Sequence, residues 1–131
     1  MDVILADDQY DVRCALRCLL EQSAELRLVS EATNSAELLA YLSTACPDLV
    51  LLDWELPGIN GRDLMERARA VCPKVKVVAL SVRPEARAEA LRAGAQGFAS
   101  KGDPPERLVS VMLKVVSDDL TNNSVVTIVA P

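Results

Sequence analysis

Four short apolar runs punctuate the chain, and each leads into a polar or charged residue. Val3-Ile4-Leu5-Ala6 runs into Asp7 and Asp8, and Leu49-Val50-Leu51-Leu52 into Asp53. Val77-Val78-Ala79-Leu80 runs into Ser81, and Gly97-Phe98-Ala99-Ser100 into Lys101. Continuous apolar runs of this length, bounded by turn residues, read as strands buried on both faces of a parallel sheet. A further strand is predicted over residues 26–32, where the alternation is only partial. Segments of helical period lie between the strands. Val12, Ala15, Leu16, Leu19 and Leu20 form one apolar stripe, with Arg13, Arg17 and Glu21 largely away from it. Asn34 or Ser35 can cap the next helix, whose core face is Leu38, Leu39 and Leu42, and Pro47 stops it.

Pro57-Gly58-Ile59-Asn60-Gly61 reads as a loop. Asn60 or Gly61 then caps a helix carrying Leu64, Met65, Ala68 and Val71. A fourth helix spans residues 84–93 and ends at Gly94 as a left-handed cap. Asp103 is expected to cap the last helix, with Pro104 and Pro105 in its first turn. There Leu108, Met112 and Val115 make the core stripe. Val109, Val111 and Val116 widen it, either as a broad core face or as a surface for a partner or a second copy. Residues 117–124 read as linker or turn, and the uncharged residues 125–130 are strand-like. That end is expected to pair with a sheet edge, pair with another chain, or be disordered. The chain thus divides into a domain over residues 1–116 and a tail over residues 117–131. Strand and helix alternate five times, which implies an α/β fold, a parallel sheet with helices on both faces.

Composition narrows the function. Half of the 131 residues are apolar and only 3% are aromatic, so aliphatic side chains must fill the core of one domain. A net charge of −5 disfavours direct nucleic-acid binding by this segment. No apolar run is long enough for a membrane span and no leader pattern is visible, so a cytosolic location is expected. Cys14, Cys18, Cys46 and Cys72 form no C-x-x-C pair, and are expected to be free, small and buried in a reducing compartment. The chain has no histidine, which excludes Ser-His and Cys-His catalysis from within it.

The strand ends carry the chemistry. In an open parallel sheet the carboxyl ends of the strands share one edge, where ligands bind. Asp7, Asp8, Asp53, Ser81 and Lys101 are therefore expected to meet in one crevice. Three clustered carboxylates repel unless a cation joins them, which points to a hard metal ion.

These residues, in this order and spacing, resemble the receiver domain of bacterial two-component response regulators. The resemblance covers residues 2–116. Residues 48–61 look like the family's phosphoacceptor loop, and residues 94–102, Gly-Ala-Gln-Gly-Phe-Ala-Ser-Lys-Gly, like its fifth-strand motif. The resemblance implies a flavodoxin-like (βα)5 fold, a doubly wound five-stranded parallel sheet in the order 2-1-3-4-5. It implies that Asp53 accepts a phosphoryl group from a sensor histidine kinase. It assigns Mg²⁺ to Asp8, Asp53 and the backbone carbonyl of Glu55, with Asp7 acting through water. Lys101 and Ser81 would bind the phosphoryl oxygens. Ser81 and Phe98 would form the switch that reshapes the face made by the fourth helix, fifth strand and fifth helix. A carboxylate is already ionised at neutral pH, so positioning and charge neutralisation suffice for the transfer.

By the same resemblance the domain is not an enzyme in the usual sense, since it catalyses only its own phosphorylation and dephosphorylation. A homodimer through the face just named, or through the fifth helix, is a further expectation. Val82 would narrow access to the phosphoryl group, and Glu55 and Arg83 would tune dephosphorylation. Gly102 stands where many receivers have proline. Val82 and the Lys-Gly-Asp-Pro run look like the subfamily that carries a C-terminal helix-turn-helix domain and regulates transcription. Residues 117–131 are too few for such a domain. Two other readings stay open: a phosphorylation-independent pseudo-receiver, and an aspartyl-phosphate phosphatase of the haloacid-dehalogenase kind. The latter uses a second Asp two residues after the nucleophile, where this chain has Glu55.

Overall fold

Strand and helix alternate as the pattern predicts: β1 (Asp2–Ala6), α1 (Tyr10–Glu21), β2 (Arg27–Ala32), α2 (Ser35–Thr44), β3 (Leu49–Asp53), α3 (Gly61–Val71), β4 (Lys76–Ser81), α4 (Ala86–Arg92), β5 (Gly97–Ser100) and α5 (Pro105–Val129). The computed structural model describes residues 1–129, with side chains through Ser117. The strands form one sheet in the order β2-β1-β3-β4-β5, every neighbouring pair parallel. The expected (βα)5 fold is therefore the fold observed. Asn34 and Asn60 supply the caps of α2 and α3, accepting from the backbone N–H groups of Glu37 and Asp63.

Side-chain alternation along each strand divides the core into two layers. Ile4, Ala6, Val50, Leu52, Val77 and Ala79 face α2, α3 and α4. Val3, Leu5, Leu49, Leu51, Val78 and Leu80 face α1 and α5, where Leu108, Met112 and Val115 are buried. Each valine, leucine, isoleucine or methionine among them contributes about 1.5–3 kcal/mol by leaving water. The central strands are buried on both faces, which explains why they read as unbroken apolar runs. β2 is at the sheet edge and half-exposed, and its partial alternation reflects that.

Two glycines have conformations that other residues resist. Gly94 has φ +104°, the left-handed cap expected after α4. Gly58, in the loop after Asp53, has φ +113°, and any Cβ there would collide with Ser35 Oγ. That packing matters locally, because Ser35 Oγ accepts the Ile59 N–H at 3.0 Å and Ser35 N donates to the Pro57 carbonyl at 2.9 Å.

Four expectations are corrected. Cys46 and Cys72 form a disulfide, with Cα atoms 5.7 Å apart. Cys14 is half-buried and free, and Cys18 exposed and free. The pairing arises because α2 and α3 pack on the same face of the sheet and bring their C-terminal ends together. A separation of 26 residues in sequence gives no hint of this. Secondly, α5 continues as helix to Val129, so no turn and no strand occurs over residues 117–129. No glycine or proline interrupts residues 106–129, and ordinary polar or β-branched residues cost a helix only about 0.7 kcal/mol or less each. Ala130 and Pro131, where the strand-like run ends, lie outside the described residues. Thirdly, Asp103 does not cap α5; its carboxylate accepts from the Ser100 N–H at 3.3 Å. Fourthly, α4 is confined to Ala86–Arg92, with Pro84 in the turn before it. Among the described residues no helix is long and apolar enough to cross a membrane.

Candidate functional site

Asp7, Asp8, Asp53, Ser81 and Lys101 lie at or just past the carboxyl ends of their strands, because parallel pairing points all five strands the same way, whereas Phe98 lies within β5. Asp53 ends β3 and Ser81 ends β4, while Asp7 and Lys101 follow β1 and β5 directly. One carboxylate oxygen from each of Asp7, Asp8 and Asp53 lies within 4.8 Å of the others. Asp7 and Asp53 are buried, whereas Asp8 is exposed. The Lys101 ammonium is 2.8 Å from Asp7 Oδ2 and 3.3 Å from Asp53 Oδ1, and donates to Gln9 Oε1 at 3.2 Å. Its hydrogen bond goes to Gln9, and it meets the two carboxylates as a point charge, leaving Asp7 Oδ2 buried without a hydrogen-bond donor.

The backbone fixes these groups. The Asp7 N–H donates to the Ala32 carbonyl at 3.0 Å, and Gln9 N–H donates to Asp7 Oδ1 at 2.8 Å. The Glu55 N–H donates to Asp53 Oδ1 at 3.0 Å. The Lys101 N–H donates to the Ser81 carbonyl at 3.0 Å, clamping the β5 end to the β4 end.

Burial pushes the Asp53 carboxyl up from 3.8 to about 6, overriding the Lys101 charge that pulls it down; the Asp7 charge adds to the rise. Burial also acts against the Lys101 ammonium, but Asp7 and Asp53 outweigh it and raise its pKa. Three carboxylates thus face one ammonium, leaving an excess negative charge in a buried crevice. Hard oxygen donors with that excess charge fit Mg²⁺ by the chemistry of the donor set.

Ser81 is fully buried, and its hydroxyl donates to Glu55 Oε1 at 2.7 Å. Arg83 meets Glu55 Oε2 at 3.1 Å, so Glu55 and Arg83 form a pair beside the crevice. Val82, between Ser81 and Arg83 in the chain, is 70% exposed. Phe98 is half-buried and lies apart from the carboxylates, lining a cavity of about 350 Å³ with Leu91, Arg107 and Val111. Gly102 follows Lys101 through a trans peptide, as all described peptide bonds are trans.

Three contributors were not foreseen: Gln9, which holds Lys101; Arg13, whose Nη1 donates to the Asp7 carbonyl at 3.0 Å; and Glu89, which accepts from Trp54 Nε1 at 3.0 Å. A lone polar residue on an exposed helical turn carries no sequence signal for such a role. Trp54 follows Asp53 directly, and its adjacency was the one available hint.

A family model described as the response regulator receiver domain matches residues 3–113. The response regulator UvrY of Escherichia coli K12 is 33% identical over 119 residues, covering 89% of this chain and 55% of that protein. The fimbriae Z protein of Salmonella typhimurium is 37% identical over 101 residues, covering 76% of this chain and 48% of that protein. This chain thus spans about half the length of these relatives. The crystal structure of a LuxR-family two-component response regulator from Aurantimonas sp. SI85-9A1 superimposes with a TM-score of 0.82 at 25% identity, covering 89% of this chain and 85% of that one.

Proposed function

This chain belongs to the response regulator receiver domain family of two-component systems, a family of signalling domains, and on that premise we propose that Asp53 is its phosphoacceptor. The observation that carries the proposal is the Lys101 ammonium set between the buried carboxylates of Asp7 and Asp53, 2.8 and 3.3 Å away. A single cation held there by fixed backbone is placed to neutralise oxygens gathering at Asp53.

In the proposed reaction an Asp53 carboxylate oxygen forms the bond to phosphorus as the phosphorus–nitrogen bond of a kinase phosphohistidine breaks. The imidazole leaves with the electron pair. Asp8, Asp53 and the Glu55 backbone carbonyl, with Asp7 through water, would hold Mg²⁺, which when bound supplies charge neutralisation for the incoming phosphoryl oxygens. Lys101 turns from Asp53 to a phosphoryl oxygen, and Ser81 donates its hydroxyl to another. Phe98 then fills the space vacated behind Ser81, which reshapes the α4-β5-α5 face. Phe98 lines a cavity with Leu91 of α4 and with Arg107 and Val111 of α5, so its turning would alter the surface those elements share.

The proposed partners are a sensor histidine kinase and, through α4-β5-α5 or α5, a second copy. The receiver unit is residues 1–116, and residues 117–131 are a tail or connector. A cytosolic location fits these partners. Since the relatives are about twice as long, and the matched solved structure is described as LuxR-family, we further propose a role in a longer regulator of transcription. This segment itself would not touch nucleic acid.

Intact-protein mass after incubation with acetyl phosphate and Mg²⁺ tests the proposal. One added phosphoryl group is expected on the parent and none on Asp53→Asn. Equal addition to both would refute the assignment of Asp53.

A further inference from the structure

The Ser81 hydroxyl has a single proton, and in this structure that proton goes to Glu55 Oε1 at 2.7 Å. It cannot be donated to a phosphoryl oxygen at the same time. Glu55 is itself held. Arg83 Nε and Nη2 reach Glu55 Oε2 at 3.2 and 3.1 Å. Arg83 Nη2 also reaches Glu89 Oε2 at 3.2 Å, and its Nη1 lies 3.5 Å from Glu85 Oε1. Glu89 Oε2 in turn accepts from Trp54 Nε1 at 3.0 Å. Trp54 is buried and covalently next to Asp53, so this last bond fixes Glu89 against the strand that carries the phosphoacceptor. The result is a closed chain from β3, through the loops after β3 and β4, to α4.

We propose that Glu89 is a positioning residue for phosphoryl transfer: acting through Arg83, it holds Glu55 on the Ser81 hydroxyl in the unphosphorylated protein and ties α4 to that resting arrangement. The proposal rests on Asp53 being the phosphoacceptor. Three carboxylates already crowd the crevice, so the Glu55 carboxylate is repelled from it unless a cation accompanies it. Arg83 is that cation. Its long side chain has many conformations, and the Glu89 carboxylate, fixed by the indole, selects the one that meets Glu55. When Ser81 turns to a phosphoryl group, Glu55 loses its hydroxyl donor. The ionic chain then loses an end, and α4 is released together with the Ser81 loop. The latch therefore opposes phosphorylation and couples it to the helix that moves.

The test is the rate of phosphoryl incorporation from acetyl phosphate with Mg²⁺, followed by intact mass, for four proteins: the parent, Arg83→Ala, Glu89→Gln and the double variant. Glu89→Gln keeps an amide oxygen for the Trp54 indole while removing the charge. Both single variants are expected to react about two- to fivefold faster than the parent, the range that partly exposed ion pairs provide. The double variant is expected to match Arg83→Ala alone, because Glu89 acts through Arg83. Added salt is expected to narrow the gap between parent and Arg83→Ala. A merely structural role would leave the variants additive and the salt response unchanged. Slower or unchanged reaction in either single variant, or additive effects, would overturn the latch, while addition to the parent and none to Asp53→Asn upholds Asp53. A parent that takes no phosphoryl group overturns the assignment of Asp53, and the latch with it.

Discussion

Replacing Asp53 by asparagine should stabilise the metal-free protein at alkaline pH. Asp53 is 2% exposed, and its carboxyl is pushed from 3.8 to about 6, chiefly by burial. The folded-state value lies above the unfolded one, so between the two the folded protein holds a proton that the unfolded chain has released. The contribution of this group to stability is therefore fully present below 3.8 and is lost as pH rises through about 6. Above that window the ionised carboxylate costs the fold about 3 kcal/mol relative to a neutral one. Asparagine is nearly isosteric, never ionises, and can still accept the Glu55 N–H now given to Asp53 Oδ1 at 3.0 Å. Urea denaturation with a chelator present is the assay. At about pH 8 the midpoint of Asp53→Asn should lie about 1–2 M above the parent's. Near pH 4 the gap should close to a small remainder. Mg²⁺ should raise the parent's midpoint by binding only its folded form, and leave the variant nearly unmoved. Equal midpoints at alkaline pH, or a less stable variant, would show that Lys101 already offsets the burial of Asp53, and the reasoning would fail.

Two further outcomes follow from the same structure. Lys101→Met keeps the stem and removes the charge between Asp7 and Asp53, so phosphoryl incorporation should slow by about a hundredfold, the usual effect of losing one preorganised group at a developing charge; a rate close to the parent's would show that the metal alone neutralises the phosphoryl oxygens. Cys46→Ser removes a disulfide that closes a loop of 26 residues, which should cost about 3.5 kcal/mol in urea denaturation without reductant, while with strong reductant parent and variant should converge; identical curves in both conditions would mean that the thiols are unpaired in solution.

The sheet was legible because β1, β3 and β4 are covered on both faces, and such strands must be apolar throughout. The site was legible for a related reason. Parallel strands present their carboxyl ends together, so the residue after each apolar run carried the location as well as the identity of the chemistry. What escaped was whatever depends on the packing of one helix against another. The Cys46–Cys72 pair is set by where α2 and α3 end, and Glu89 matters only because Trp54 lies beneath it. The end of α5 escaped for another reason. Local polarity suggested a turn and β-branched residues suggested a strand, but no residue there forbids a helix, and a helix already under way adds a residue more readily than a new element starts.

That uninterrupted α5 has a mechanical consequence. Its 25 residues make a rod about 37 Å long. Its first half is seated on β4 and β5, where Leu108, Met112 and Val115 are buried beside the strands that end in Ser81 and Lys101. The arm beyond Val115 is about 21 Å long, so a tilt of about 5° at that seat would carry the far end through about 2 Å. α5 would thus act as a lever arm, since any tilt of the segment seated beside the crevice grows with distance along a helix that no glycine or proline interrupts.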